Sequence, residues 1–312
     1  MDKTIAVVGA GLIGRAWAMV FARAGWRVRL NDSEASQLDA ARVFIAASLN
    51  EQAMHGLVDD AAAARERIEY VSELAEAVAN VAWVQENLPE RLEVKREVFA
   101  ALERSAPPDA VLASSTSAIP ASRFTEELTG RARCLVAHPV NPPHLVPIVE
   151  LCGAPWTSEQ TLARARSIYS EVGQVPIVVR RELDGFILNR LQGALLSEAM
   201  RLVGEGYVSP EDLDKTLSDG LGLRWAFLGP FATIELNAPG GVVDYCARYG
   251  GFLRRLAQDP AGGEVWDEAN IACVEAALGP ARPAATLAER TRWRDRRLMA
   301  LLAHKRGQPD AD

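Results

Sequence analysis

The stretch "IAVVGAGLIGRAWAMVFARAGWRVRLND", residues 5–32, leaves a chain little freedom in how it begins to fold. Gly9, Gly11 and Gly14 form a G-x-G-x-x-G pattern directly after an apolar β-run and at the opening of a helical pattern, and Asp32 ends the next β-run. Gly9 makes the tight turn, Gly11 admits a close backbone approach, and Gly14 lets helix and strand pack closely. The helix start then offers free N–H groups and a positive dipole end to a pyrophosphate. A glycine turn between strand and helix is common by itself; strand, helix and correctly spaced acid together point to a dinucleotide. Leu12 and Ile13 fill the turn between the glycines and belong to the same expected cofactor surface. Asp32 would accept hydrogen bonds from both adenosine ribose hydroxyls and repel a 2′-phosphate. Ser33 and Glu34 follow it, and the nearest cation, Arg29, lies earlier on the same strand, so NAD is expected over NADP.

Further short apolar runs follow at "VAWVQE", "AVLASST", "RCLVAHP", "LVPIVEL" and "VPIVVR", separated mostly by helical stretches. That alternation predicts an α/β, Rossmann-type, mainly parallel sheet covered on both faces. Between "RVRLND" and "VAWVQE" the text reads as one long helical excursion, with Leu38, Ala41, Ile45 and Leu49 at helical spacing. From Asp184 onward the signal is helical only. The expected division is therefore an NAD-binding domain over 1–183 and an all-helical C-terminal substrate and dimerisation domain over 184–312. The last stretch, "LAERTRWRDRRLMALLAHKR", reads as a basic helix with an apolar stripe at Leu287, Trp293, Leu298, Leu301 and Leu302, for packing or for a dimer face rather than a membrane.

The net charge of −7 would repel a nucleic-acid backbone over most of the surface, so no nucleic-acid partner is expected. Only "MDK" precedes the first strand, with neither a signal-peptide pattern nor an apolar run of spanning length, which predicts a cytoplasmic protein without a membrane partner. Cys134, Cys152, Cys246 and Cys273 are scattered without a C-x-x-C pair. They are expected to be buried small hydrophobes, and no metal site is expected.

"AHPVNPPHLVPIVEL", residues 137–151, raises the chemical question. An imidazole acts as a base near neutral pH when an acceptor orients its second nitrogen, and Glu150 on the returning strand is the natural acceptor for His138. The prolines stiffen the span between them. A loop histidine can equally be structural and a strand glutamate can face water, so spacing alone leaves this dyad open.

The ordered set "GAGLIG", "SSTS", "HPVNP", "IVEL" and "GFILNR" resembles the 3-hydroxyacyl-CoA dehydrogenase family over at least residues 4–237. "VAHPVNPP", "SEAMRLVGEGYVSPEDLD" and "GLGLRWAFLGP" bring it nearest to the λ-crystallin and L-gulonate 3-dehydrogenase branch. The resemblance implies catalytic roles for Ser117, His138, Glu150 and Asn189, with His138 as base, Glu150 as its holder, and Ser117 and Asn189 as donors to the reacting oxygen. It also implies that Glu90 and Lys95 lie at the nicotinamide-ribose side, where isolated helix charges would otherwise be solvated surface. Asn141 would orient the substrate or pin its loop. A homodimer is implied in the same way.

The excursion text "NEQAMHGLVDDAAAARERIE" is acidic and lysine-free, unsuited to the phosphates of CoA. A free hydroxy acid needs a cation for its carboxylate, and Arg224 offers a planar fork, or else stacks on Trp225 or caps a helix. A small free hydroxy acid is therefore expected, and the resemblance makes L-gulonate the first substrate expectation. A 3-hydroxyacyl-CoA thioester is the second, and a non-catalytic NAD-binding protein of the crystallin kind the third.

Overall fold

The computed structural model describes residues 3–309. Eight strands form one sheet: β1 (Thr4–Val8), β2 (Arg27–Asn31), β3 (Ile68–Val71), β4 (Trp83–Glu86), β5 (Val111–Ser114), β6 (Cys134–Pro139), β7 (Ile148–Gly153) and β8 (Val175–Val179). Their order is β3-β2-β1-β4-β5-β6-β7-β8. Every neighbouring pair is parallel except β6–β7. The sheet is the expected Rossmann type, and its order reverses at β1, which has β2 on one side and β4 on the other. In open α/β sheets ligands bind in the crevice at such a switch point, beyond the carboxyl ends of the strands.

Alternation along β1 explains why both faces are covered. Ile5 and Val7 join one core with Trp17 and Phe21 of α1 (Leu12–Arg23), Ile45 and Leu49 of α2 (Ala35–Met54), and Ile168 and Tyr169 of α7 (Glu159–Glu171). Ala6 and Val8 join the opposite core, with Val78 of α4 (Leu74–Val78), Phe99 and Leu102 of α5 (Leu92–Ser105), and Phe124 of α6 (Ser122–Thr125). A strand buried on both faces has no reason to alternate polar and apolar residues, which is why β1 runs "IAVV" without a break after Thr4.

The excursion after β2 is not helical to its end. After α2 and α3 (Ala61–Glu66) the chain enters β3, an edge strand paired with β2 from Val28↔Ile68 to Asn31↔Val71. Its four residues carry a glutamate and sit beside strong helix formers, so local pattern reads through them as helix. Pairing with β2 decides otherwise.

The chain divides into two compact units, one running to Asn189 and resuming at Ala284, the other Arg190–Pro283. Within the second unit lie the body of α8 (Leu188–Gly204), α9 (Pro210–Lys215), a π-helical stretch Thr216–Leu221, α10 (Gly222–Trp225), α11 (Pro230–Asn237), α12 (Gly241–Leu256) and α13 (Glu268–Leu278). It contains no strand. The expected single helical domain over 184–312 is corrected at its end, because α14 (Ala284–Arg306) belongs with the first unit. There Met299 is buried against Leu57 and Leu145, with Leu298 and Leu302 packed around them. Leu287, Trp293 and Leu301 of the expected stripe stay exposed. The cysteine expectation divides likewise: Cys134 and Cys152 are buried in the sheet, whereas Cys246 and Cys273 are exposed on second-unit helices.

Met299→Ala removes the central side chain of the small cluster that ties α14 to the first unit. It is expected to cost about 2–4 kcal/mol of stability in urea unfolding. A loss below about 0.5 kcal/mol would contradict the packing described.

Candidate active site

At the carboxyl end of β1 the fingerprint glycines do separate jobs. Gly9 has φ 94°, and its N–H donates to the Asn31 carbonyl at 2.8 Å. A Cβ on Gly14 would lie 1.7 Å from the Gly9 carbonyl oxygen, so no side chain fits there, whereas one on Gly11 would meet nothing within 4 Å. The side of the turn at Gly11 is thus open to a ligand while the side at Gly14 is closed by contact. Leu12 is exposed at the helix start, and Ile13 packs partly onto the core. Asp32 accepts from Ala10 N–H at 2.8 Å through Oδ2 and from Glu34 N–H at 3.0 Å through Oδ1. It braces the turn while each oxygen keeps a lone pair. Arg29 is spent elsewhere, donating to the Glu76 carbonyl and pairing with Glu69 at 3.3 Å. This open turn, the unpaired N–H groups of α1 and the acid on β2 fit a dinucleotide without a 2′-phosphate.

The neighbouring strand ends are fixed by a buried ion pair. Glu86, the last residue of β4, accepts from Lys95 Nζ at 2.8 and 3.0 Å, from Leu88 N–H at 2.6 Å and from the Ser114 hydroxyl at 2.6 Å. Lys95 donates also to the Leu88 carbonyl at 2.9 Å, which occupies all three of its protons. Lys95, expected at the nicotinamide-ribose side, is 1 % exposed and holds the 87–90 loop from beneath. Glu90 does stand at that loop, but it turns toward the "SSTS" segment, where Oε1 accepts from the Thr116 hydroxyl, Ser117 N–H (3.1 Å) and Ala118 N–H (3.0 Å). Its role is that of a cap on the turn carrying Ser117. Ser115 links the same parts, donating to Asn87 Oδ1 at 2.7 Å and accepting from Trp17 Nε1 at 3.0 Å.

The antiparallel pair β6–β7 sets His138 directly opposite Glu150. The side chains of such partners share a face of the sheet, and His138 Nδ1 meets Glu150 Oε2 at 2.8 Å. Glu150 Oε1 accepts from the N–H groups of Ile187 (2.8 Å) and Leu188 (3.0 Å), the start of α8. Burial pushes this carboxyl up, but the hydrogen bond from His138 and the two backbone N–H bonds outweigh it and hold the group below the ordinary carboxylate range. His138 Nε2 makes no hydrogen bond among the described residues. Phe186 covers the imidazole, its ring centroid 5.6 Å away at 37°, fully buried and at φ 46°. A phenylalanine in the left-handed region is strained by roughly 1–3 kcal/mol and persists where surrounding structure demands it. Sequence reasoning passed over Phe186 and Glu86; "DGF" before a helix is the one local signal, since Gly185 shares the positive φ.

Asn189 joins the same constellation, its amide donating to the Ser117 carbonyl at 2.8 Å and keeping a second N–H. The Ser117 hydroxyl makes no hydrogen bond among the described residues and is half-buried. Asn141 is exposed in the loop after β6. Arg224 lies on α10 of the second unit, exposed. No cluster of three potential metal ligands occurs among the described residues, and no described helix is long and apolar enough to cross a membrane.

Comparison with known proteins adds a family to this geometry. The family model for the 3-hydroxyacyl-CoA dehydrogenase NAD-binding domain matches residues 4–183, and that for the C-terminal domain of the same family matches residues 185–262. A λ-crystallin homolog of Bos taurus is 44% identical over 310 residues, covering 98% of this chain and 96% of that protein. An L-carnitine dehydrogenase of Streptomyces coelicolor is 35% identical, covering 89% of this chain and 88% of its own. Among solved structures, an NAD+-dependent 5-formyl-3-hydroxy-2-methylpyridine 4-carboxylic acid 5-dehydrogenase superposes with a TM-score of 0.82 at 26% identity, covering 99% of this chain and 100% of that one.

Glu150→Gln tests the dyad independently of turnover. Because the folded carboxyl titrates below its unfolded value, its stabilisation is complete above the ordinary carboxylate range and is lost as pH falls through it. The wild type is expected to exceed the variant by about 2–3 kcal/mol at pH 7, the gap narrowing toward pH 3. A gap that stays constant over that window counts against a charged Glu150.

Proposed function

The chain belongs to the 3-hydroxyacyl-CoA dehydrogenase family and is an NAD-dependent oxidoreductase acting on a CH–OH group; on that footing we propose that it oxidises the 3-hydroxyl of a small free hydroxy acid, L-gulonate first, to the 3-oxo acid. The observation that carries this reading is the His138–Glu150 pair, which leaves Nε2 of His138 without a partner among the described residues.

NAD, when bound, supplies the hydride acceptor, held by Gly9, Gly11, Leu12, Ile13, Gly14 and Asp32. His138 Nε2 takes the hydroxyl proton as the carbon loses hydride, so that the alcohol becomes a carbonyl and the imidazole an imidazolium. Glu150, already charged, keeps Nδ1 protonated, and it stabilises the imidazolium without taking its proton. The Ser117 hydroxyl and the second N–H of Asn189 donate to the oxygen as its double bond forms. Asn141 and Arg224 are proposed as further substrate contacts.

Two observations favour a free acid over a thioester. The excursion between β2 and β4 contains no lysine, and two of its three arginines are engaged, Arg42 over the ring of Tyr70 at 4.1 Å and Arg67 on the Ala22 carbonyl at 3.3 Å, while Arg65 is exposed. The carnitine and pyridine-carboxylic acid dehydrogenases above both act, by their names, on molecules bearing a free carboxylate. A 3-hydroxyacyl-CoA substrate is the second reading, favoured by the family's own description. We further propose a cytoplasmic homodimer; four unpaired cysteines suit a reducing compartment, and Phe231, Val243 and Phe252 of the second unit are exposed apolar side chains that pairing would cover.

The test is NAD reduction with L-gulonate, 3-hydroxybutyrate and L-carnitine beside 3-hydroxybutyryl-CoA. Turnover of a free acid at higher kcat/KM than the thioester is expected; the reverse order establishes the second reading. His138→Ala is expected to lower kcat at least 10²- to 10⁴-fold with the NADH dissociation constant unchanged. Undiminished turnover in that variant would remove His138 as the base.

A further inference from the structure

Arg15 sits one turn into α1, immediately after Gly14, its N–H donating to the Gly11 carbonyl at 3.1 Å. Its guanidinium carbon stands over the ring of Phe44 on α2, 3.9 Å from the centroid. Nε is shut away from solvent and has no acceptor, and the guanidinium makes no hydrogen bond or ion pair among the described residues. An unpaired N–H out of water is costly, and an aromatic face restricts where this half-buried guanidinium can move to relieve it.

The other side of the same ring system leads to the catalytic loop. Phe44 meets His144 edge-on at 6.4 Å, and His144 stands six residues after His138 in the loop between β6 and β7. His144 is 2% exposed; its Nε2 faces the Ser48 hydroxyl at 3.5 Å and its Nδ1 is a second buried atom without a partner. Burial and the nearby charges of Arg23, Arg294 and Arg15 push its imidazole down to about 3, so it is neutral. Arg23 is satisfied, donating to Gln52 Oε1 at 2.9 Å and to the His144 carbonyl at 2.8 Å. In a chain of net charge −7, this places a concentration of positive charge beside the loop that begins at the base, with one fork left open.

We propose that Arg15 is the specificity-determining residue for the free acid, its guanidinium receiving the substrate carboxylate while Phe44 fixes the plane of the fork. The inference rests on the free-acid reading above and assigns the carboxylate to a residue of the first unit in place of Arg224. A cofactor phosphate is the competing anion. The first-turn N–H groups at Gly11, Leu12 and Ile13 already answer that need, and Arg15 packs toward α2 and the histidine loop rather than toward Asp32.

Arg15→Met keeps the apolar stem on Phe44 and removes the charge. With L-gulonate and with 3-hydroxybutyrate, KM is expected to rise about 10- to 100-fold. The neutral twins L-gulonamide and methyl 3-hydroxybutyrate should be turned over as by the wild type, and the NADH dissociation constant should stay within twofold. The rise in melting temperature that millimolar L-gulonate gives the NADH-loaded wild type should vanish in the variant, whose own melting temperature without the acid stays near that of the wild type. Parallel loss of NADH affinity would assign Arg15 to the cofactor phosphates and overturn the proposal. Equal losses on acid and neutral twin, no loss on either, or an acid-selective loss in Arg224→Met alone would overturn it as well. These outcomes differ from failure of the underlying reading, which shows in the wild type as turnover of the CoA thioester and of no free acid.

Discussion

Glu150 divides its two oxygens between the imidazole of His138 and the first N–H groups of α8, and the candidate site depends on that division. A carboxylate 1% exposed would ordinarily take up a proton to escape its own desolvation. Here three donors converge on it, and the charge persists. The orientation of the base and the position of the helix that brings Asn189 to the Ser117 carbonyl are thereby set by one group. This needs the antiparallel pair: directly opposed residues share a face of the sheet at close range, whereas in a parallel crossover a helix would intervene between the two strands.

The cofactor side follows the same physical logic with different residues. Glu86 and Lys95, both essentially without solvent, neutralise one another and use their remaining capacity on Leu88 and Ser114, so the ends of β4 and β5 are held by charge-assisted bonds from below. Glu90 then caps the turn that presents Ser117. A buried ion pair adds little to stability against an apolar replacement, but it permits few alternative arrangements of the loops attached to it. The Glu86–Lys95 pair therefore acts on geometry more than on folding free energy.

Much of this was legible because its signals are local. The fingerprint glycines, Asp32 and the proline-fenced His138 sit within short stretches whose backbone demands restrict residue type, and seven of the eight strands are apolar runs bounded by breakers. What local pattern missed depends on partners distant in the chain. β3 is a strand because β2 offers it an edge; α14 joins the first unit because Met299 finds Leu57 and Leu145. Lys95 reads as a solvated helix charge until Glu86 is seen beneath it. Phe186 is conspicuous only once its backbone angle and the ring of His138 are known. Cys246 and Cys273 fall on helix faces whose exposure no spacing rule reveals.

His138, in β6, and His144, in the loop that follows it, make the argument about neighbours sharpest, since they are the same residue type, six positions apart, and both are buried. Burial disfavours the protonated form of His144. His138 has a carboxylate at 2.8 Å on one nitrogen and no hydrogen-bond partner among the described residues on the other, so gaining a proton creates an ion pair with Glu150. His144 has Arg15, Arg23 and Arg294 around it, so gaining a proton adds charge to charge, and it stays neutral far below the physiological range. On the proposed function, a proton leaving a bound alcohol would go to His138, where it completes an ion pair with Glu150, and not to His144, which burial and the surrounding arginines hold neutral.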